Sequence, residues 1–194
     1  MLEGQRRVLV RPIDPADAAP LRHGFGLLST DEVRMRFLHP MSELTPALAR
    51  QLTTLDPARD FALVVAEPLP PGDALIGAVV RASIDPVGRR AEFAIIVARL
   101  LAGQGLGRLL MRKLIRWARL KRLDELYGDV LVENVQMLAL VRTLGFHAEP
   151  LAGEPGVMRV RLDLRRGASA GAAKPVAKAG GKIGTDAAAR VASR

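Results

Sequence analysis

An α+β domain is what this 194-residue sequence predicts, and three observations carry the prediction. Short apolar runs at residues 61–66, 74–84 and 92–97 are separated by turn signals, which is the pattern of a strand meander. The last of them, Glu92-Phe93-Ala94-Ile95-Ile96-Val97, leads through Ala102-Gly103-Gln104-Gly105-Leu106-Gly107 into an amphipathic helix that begins Arg108-Leu109-Leu110. A hydrophobic content of 49% at this length can bury one substantial core, so one domain is the default.

Residues 8–12 read as a first strand. Asp14-Pro15-Ala16-Asp17 is a helix-start signal, followed by Ala18, Leu21, Phe25 and Leu28 at helical spacing. Ser29 to Glu32 fits a capping box and opens a second short helix that ends before Pro40. Thr45-Pro46 caps a third, whose Leu48, Leu52 and Leu55 make one apolar stripe. Strands at 61–66 and 74–84 are joined through 68–72, and Asp85-Pro86-Val87-Gly88 turns the second into the strand carrying Glu92. A helix over 107–122 follows, with Leu106, Leu110, Leu114 and Trp117 as its core side. Then come a strand at 126–132, a helix at 134–144 and a last strand at 157–164.

The net charge of +9 is unevenly distributed. Residues 165–194 hold seven Lys or Arg and one acid, which leaves only +3 for the rest. That Ala/Gly/Lys-rich stretch has no aromatic residue and no large apolar run, so it is expected to be a disordered basic tail behind a folded domain of residues 1–164. The absence of cysteine removes disulfides, thiolate metal sites and a cysteine acyl-enzyme. His23, His39 and His147 are scattered without ligand spacing, so no metal is expected. No window is long and apolar enough to span a bilayer, and Met1 to Val10 hold no sustained apolar stretch. A cytoplasmic protein with no membrane partner is the expectation.

A glycine-rich turn between a strand and a helix lets backbone N–H groups converge at the positive end of the helix dipole, where a phosphate or pyrophosphate is held without any side chain. Two common versions fail here. A Walker A loop needs Lys-Ser or Lys-Thr after its last glycine, and Gly107 is followed by Arg108 and Leu109. A dinucleotide fingerprint runs Gly-x-Gly-x-x-Gly, whereas the glycines at 103, 105 and 107 alternate strictly and lie halfway along the chain.

The turn resembles the acyl-CoA pyrophosphate loop of the GNAT superfamily of N-acyltransferases, written Arg or Gln, two residues, Gly, one residue, Gly or Ala. Gly105 and Gly107 fill the glycine positions. Downstream, Val130-Leu131-Val132-Glu133-Asn134 and the run Met137 to Phe146, ending Leu-Gly-Phe, are similar to the superfamily's next strand, its asparagine and its helix exit. More narrowly, the span from Leu28 to Phe146, including Leu28-Ser29-Thr30-Asp31-Glu32-Val33-Arg34-Met35-Arg36-Phe37, resembles the acetyltransferase domain of bacterial Pat-type protein lysine acetyltransferases. The resemblance covers residues 8–164. It implies a GNAT fold, a mixed and mostly antiparallel central sheet of about six or seven strands flanked by about four or five helices.

Two departures bear on function. Ala102 stands where the loop usually has Arg or Gln, which removes a side-chain contact but leaves the backbone amides and implies weaker cofactor affinity. Val141 stands where many small-molecule members carry a tyrosine general acid, and the one tyrosine, Tyr127, lies on the preceding strand. A tyrosine-acid mechanism is disfavoured.

What the resemblance implies is acetyl transfer from acetyl-CoA to an amine by direct attack in a ternary complex. A lysine side chain, with a pKa of about 10.4, is mostly protonated at neutral pH, so a group at the site must take its proton. In Pat-like members a glutamate on the strand entering the loop is the base, and Glu92 matches it; the competing reading is a solvated residue paired with Arg89, Arg90 or another arginine. Ala102, Gly103, Gln104, Gly105, Leu106, Gly107 and Arg108 form the expected pyrophosphate loop, with Arg108 either on a phosphate or in a solvated basic face with Arg112, Arg116 and Arg119. Ile96 and Val97 lie where family members offer unpaired strand backbone to the pantetheine, and an N–H there can polarise the thioester carbonyl. Asn134 fits a helix N-cap and a cofactor contact together. The implied acceptor is a protein lysine, an acyl-CoA synthetase among the candidates; the rivals are a small amine acceptor, and a non-catalytic acyl-CoA-binding module whose tail meets nucleic acid.

Overall fold

The computed structural model describes residues 7–165, and the basic tail expected over 165–194 lies outside them except for Arg165. Strand-forming residues give seven strands in one sheet: β1 (Leu9–Pro12), β2 (Asp60–Ala66), β3 (Ile76–Ile84), β4 (Arg90–Val97), β5 (Glu125–Leu131), β6 (His147–Pro150) and β7 (Val157–Asp163). The spatial order is β1-β2-β3-β4-β5-β7-β6, antiparallel everywhere except between β4 and β5. Five α-helices lie among the described residues: α1 (Ala18–Gly26), α2 (Thr30–Phe37), α3 (Pro46–Thr53), α4 (Leu106–Leu120) and α5 (Val135–Thr143). This is the GNAT fold that the resemblance implied.

The period-two pattern of β3 and β4 divides the sheet into two faces. Ala78, Val80, Ala82, Ala91 and Phe93 join Leu110, Met111, Leu114, Leu138 and Val141 in the main core, so α4 and α5 cover one face. The opposite face carries Val79, Ala62 and Val64, and it is covered by α1–α3 through Phe25, Val33, Leu44 and Ala49. Leu110 and Leu114 are fully buried, while Trp117 is half-buried and stacks on Phe61 at 5.1 Å.

Local rules place the helices of the second face. Asp14 caps a 3-10 turn over Pro15–Asp17 rather than α1 itself. Ser29 and Glu32 form the expected capping box of α2, and Thr45 with Pro46 opens α3. The second oxygen of Glu32 accepts the Arg99 backbone N–H at 2.9 Å, which ties the start of α2 to the segment after β4. Arg34 of α2 forms an ion pair with Glu133 beyond β5.

The parallel ladder of β4 and β5 is only three residues long, Arg90 with Glu125, Ala91 with Leu126 and Glu92 with Tyr127. Beyond it the strands part, and Phe93 to Val97 have no β5 partner. Gly128 stands at the fork. A Cβ there would lie 2.9 Å from the Phe93 carbonyl oxygen and 3.0 Å from the Phe93 ring. Because the nearest atom is backbone, Gly128→Ala should cost about 1–3 kcal/mol through overpacking. Thermal melting is the measurement, with a drop of roughly 2–10 °C expected for a domain of this size.

Candidate active site

The loop after β4 is shaped by its glycines. Ala98 donates its N–H to Gly77 O at 2.9 Å, and a 3-10 turn over Arg99–Leu101 leads to Ala102 in an extended conformation. Gly103 and Gly105 then take φ of 77° and 76°, left-handed values that favour glycine. Gly105 is the N-cap of α4 and no side chain caps that end. The first bond of the helix ladder runs from Leu109 N to Gly105 O at 3.0 Å, so the amides of Leu106, Gly107 and Arg108 precede it. Residues 102–105 are exposed. At Gly107 a Cβ would lie 3.3 Å from the Leu140 side chain and 3.9 Å from Val97, so the small residue lets the helix start close against the end of β4 and α5. Such an end holds an anion by dipole and amides together.

Side chains around the loop are partly committed. Gln104 donates to Leu100 O at 3.3 Å. Arg108 reaches across to α5, where its guanidinium donates to Thr143 Oγ1 at 2.9 Å; Arg112, Arg116 and Arg119 are exposed along α4. Asn134 caps α5 by accepting Met137 N at 3.1 Å. Leu106 and Val97 pack against the main core.

Glu92 closes the parallel ladder on the side where the fork opens. Register puts it opposite Ser83, with Ala94 opposite Arg81 and Ile96 opposite Val79. Its side chain therefore shares the α1–α3 face with Arg81 and Ile96. It is exposed and makes no hydrogen bond or ion pair among the described residues. The arginines named as its competing partners are taken: Arg89 holds Asp124 at 2.5 and 2.8 Å, and Arg90 holds Asp85 at 3.0 Å. Arg159 holds Asp129 at 2.8 Å.

Tyr127, the register partner of Glu92, donates its hydroxyl to Asp85 at 2.9 Å. Burial first, then the Asp85 hydrogen bond and charge, push it up to about 12. That phenol is a poor proton donor to anything else. Val141, where the resemblance implies a tyrosine acid in many small-molecule enzymes, is fully buried in the core.

Two arginines share a pocket on this face: Arg36, in the run from Leu28 to Phe37 that the resemblance implies as one wall of the acceptor cleft, and Arg81, which the sequence reading did not single out. Arg36 of α2 and Arg81 of β3 line one pocket with Ile96, Val79 and an apolar wall of Phe25, Leu28 and Phe37. An arginine inside the otherwise apolar run of β3, Val79-Val80-Arg81-Ala82, was the available signal. Burial lowers both guanidiniums, Arg36 to about 10, while the charge of Glu92 opposes the shift on each. Among the described residues no group of three or more acids or histidines is arranged to hold a metal. No described helix is long and apolar enough to cross a membrane.

Among the described residues the site thus combines an amide-lined helix start, a strand edge without a partner and an unpaired carboxylate on the sheet face that carries Arg81 and Ile96. Comparison with known proteins shows what the chain as a whole is similar to. The profile of the family described as acetyltransferase (GNAT) domain matches residues 7–147. An acetyltransferase of Pseudomonas aeruginosa, PA5475, is 31% identical over 145 residues, 75% of this chain and 77% of that protein. Among solved structures, the GNAT domain of S. lividans PAT superposes with a TM-score of 0.69 at 25% identity, over 79% of this chain and 89% of that one. Spermidine N-acetyltransferase from Vibrio cholerae, solved with CoA and spermine, gives 0.62 at 22% identity over 81% and 96%.

Proposed function

The chain belongs to the GNAT acetyltransferase family of acyl-CoA-dependent N-acyltransferases, and on that premise we propose that it acetylates lysine ε-amines of cytoplasmic proteins, with Glu92 as general base. The observation that carries the reading is the position of Glu92: it ends the β4–β5 ladder where the fork opens, on the sheet face that carries Arg81 and Ile96, with no hydrogen bond or ion pair among the described residues. A carboxylate so placed accepts a proton from an arriving ammonium, and the uncharged amine that results can attack.

The rest of the chain's contribution is binding and orientation. The amides of residues 103–108 suit the pyrophosphate of acetyl-CoA, and with Ala102 in place of a longer side chain they carry that task alone. The unpartnered edge of Ile96 and Val97 suits the amides of the pantetheine arm. Asn134 keeps its cap while its amide nitrogen is left for a contact. When bound, acetyl-CoA supplies the activated acyl group. The ammonium first gives one proton to Glu92; the free amine nitrogen then bonds to the acyl carbon as the carbon–sulfur bond breaks, and the second proton lost from that nitrogen goes to the departing thiolate, so CoA leaves as the thiol.

A protein acceptor is supported by the match to the S. lividans PAT domain. The likeness to the Vibrio enzyme is one of fold, and the half-buried Arg36 and Arg81 beside Glu92 make a poor cleft for a polycation such as spermine. The test is mass spectrometry of acetyl-lysine in a deacetylated cytoplasmic lysate given acetyl-CoA and either the wild-type protein or Glu92→Gln. Acetyl-lysine sites that appear with wild type alone are the expected result. Equal signal from both would remove Glu92 as base, and signal from neither would remove proteins as acceptors.

A further inference from the structure

We propose that Arg36 and Arg81 form an anion subsite for the acceptor, so that the lysine acetylated has an aspartate or glutamate within two residues of it. The inference rests on the protein-lysine reading above and refines its substrate class. Both guanidiniums line the pocket that also contains Ile96, between the α1–α3 layer and the cleft face of β3 and β4. The pocket is small, with a cavity volume of about 70 Å³, and most of its wall is apolar.

These two cations differ from the others on the same face. Arg90, Arg159 and Arg161 each have a carboxylate within 4.0 Å, in Asp85, Asp129 and Glu149. Arg36 and Arg81 have no hydrogen bond or ion pair among the described residues, and the Arg36 guanidinium lies 4.7 Å from the centre of the Phe37 ring. One terminal nitrogen of Arg81 is buried without any partner. The carboxylates whose fields reach Arg81 are Asp60 and Glu92, and Glu92 alone reaches Arg36. Asp60 is occupied, accepting the Asp56 N–H at 3.0 Å. Glu92 is required for proton transfer. An unpaired cation withdrawn from water is costly, and two of them beside one working carboxylate leave a charge that a ligand anion would balance.

Geometry selects a carboxylate close to the amine. Arg81 and Glu92 lie on adjacent strands two residues apart in register, a diagonal that spans about 7–8 Å. Residues i and i+2 of an extended peptide lie on one side about 7 Å apart, which matches the diagonal. The planar guanidinium fork also fits a carboxylate with two hydrogen bonds.

The experiment measures kcat/KM of the full chain on matched lysine peptides whose flanking residues are glutamate, alanine or arginine, with free glutamate and spermidine as further acceptors. Glutamate flanks should raise kcat/KM at least about tenfold over alanine flanks, and arginine flanks should lower it by a similar factor. Arg36→Gln or Arg81→Gln should erase most of the glutamate advantage while the KM for acetyl-CoA stays within about twofold, and Arg81→Lys should keep part of it. Because the comparison of peptides uses the wild-type protein, misfolding of a variant cannot rescue or sink the idea. Lysine peptides acetylated without regard to flanking charge, or best with arginine flanks, would overturn the subsite and leave the lysine reading standing. Acetylation of free glutamate or spermidine with every peptide inert would overturn both.

Discussion

Glu92→Gln should lower kcat on a lysine acceptor by about 10²–10⁴-fold, the range that a positioned general base contributes. The substitution keeps the size and the strand geometry of the residue, and it removes only the capacity to take a proton. Since Glu92 lies on the cleft face of β4 while the glycine loop lies beyond the end of that strand, the KM for acetyl-CoA should stay within about twofold of wild type. In the variant Arg36 loses the one carboxylate charge that acts on it and Arg81 loses one of two, keeping Asp60, so acidic acceptors should still bind. Steady-state kinetics in both substrates separates these effects. Transfer at the wild-type rate would show that the proton leaves by another route, and a rise in the acetyl-CoA KM alone would make Glu92 a structural residue.

Asp17→Ala should be the most damaging single change to stability among those considered. Asp17 is fully buried, receives Arg11 at 2.6 and 2.8 Å, and also accepts backbone N–H groups of Asp14 at 2.9 Å and Gly72 at 3.4 Å. It therefore joins β1, the start of the α1 region and the loop between β2 and β3. Removing one partner strands the other, which costs about 3–5 kcal/mol when the pair is buried. Against a total stability of about 5–15 kcal/mol this is severe, and the midpoint of thermal unfolding should fall by roughly 10 °C. The same pair sets an acid limit. Burial alone would raise the Asp17 carboxyl, but the Arg11 hydrogen bond, the Asp14 and Gly72 amides and the Arg11 charge together hold it below the usual carboxylate range. A carboxyl lowered on folding contributes stability that is fully present above its unfolded value of about 3.9 and is lost as pH falls through the folded value. The difference in melting temperature between wild type and variant should be constant near neutrality and shrink below about pH 4. A difference that stays constant down to pH 2 would assign the loss to packing rather than charge.

Elements with local chemistry were legible in the sequence. The Ser29–Glu32 box, the Thr45–Pro46 start and the three alternating glycines each specify a backbone by short-range rules, and each stands where it was read, within a residue or two at the ends. Two elements differ from what the sequence predicts, for physical reasons. Leu55 falls beyond α3, which ends at Thr53, and packs with β2 and β3 rather than extending a helical stripe. Asp14 caps a short 3-10 turn that precedes α1, because the Asp17 carboxylate accepts its N–H and tightens the chain there. Strand β6 was not read at all. Its His147-Ala148-Glu149-Pro150 is short, exposed and polar, and pairing with β7 is its main reason to be extended. The site divides in the same way. Glu92 and the loop are contiguous in sequence, so their relation could be read directly; Arg36 and Arg81 come to one pocket only when α2 packs over β4 and β5, an arrangement that no local pattern encodes.

The three-residue seam between β4 and β5 makes assembly of the site an all-or-none event. On one side of it lies an antiparallel block, β1 to β4, that carries Glu92 and the glycine loop; on the other lies the block of β5, β7 and β6 with Asn134 after β5. Either block could acquire its own hydrogen-bonded ladder while the fork between them did not yet exist. Circular dichroism would count such a chain as largely structured, whereas it would have no groove for a donor to enter. Regain of transferase activity during refolding therefore reports the docking of two half-sheets, a later event than the formation of either.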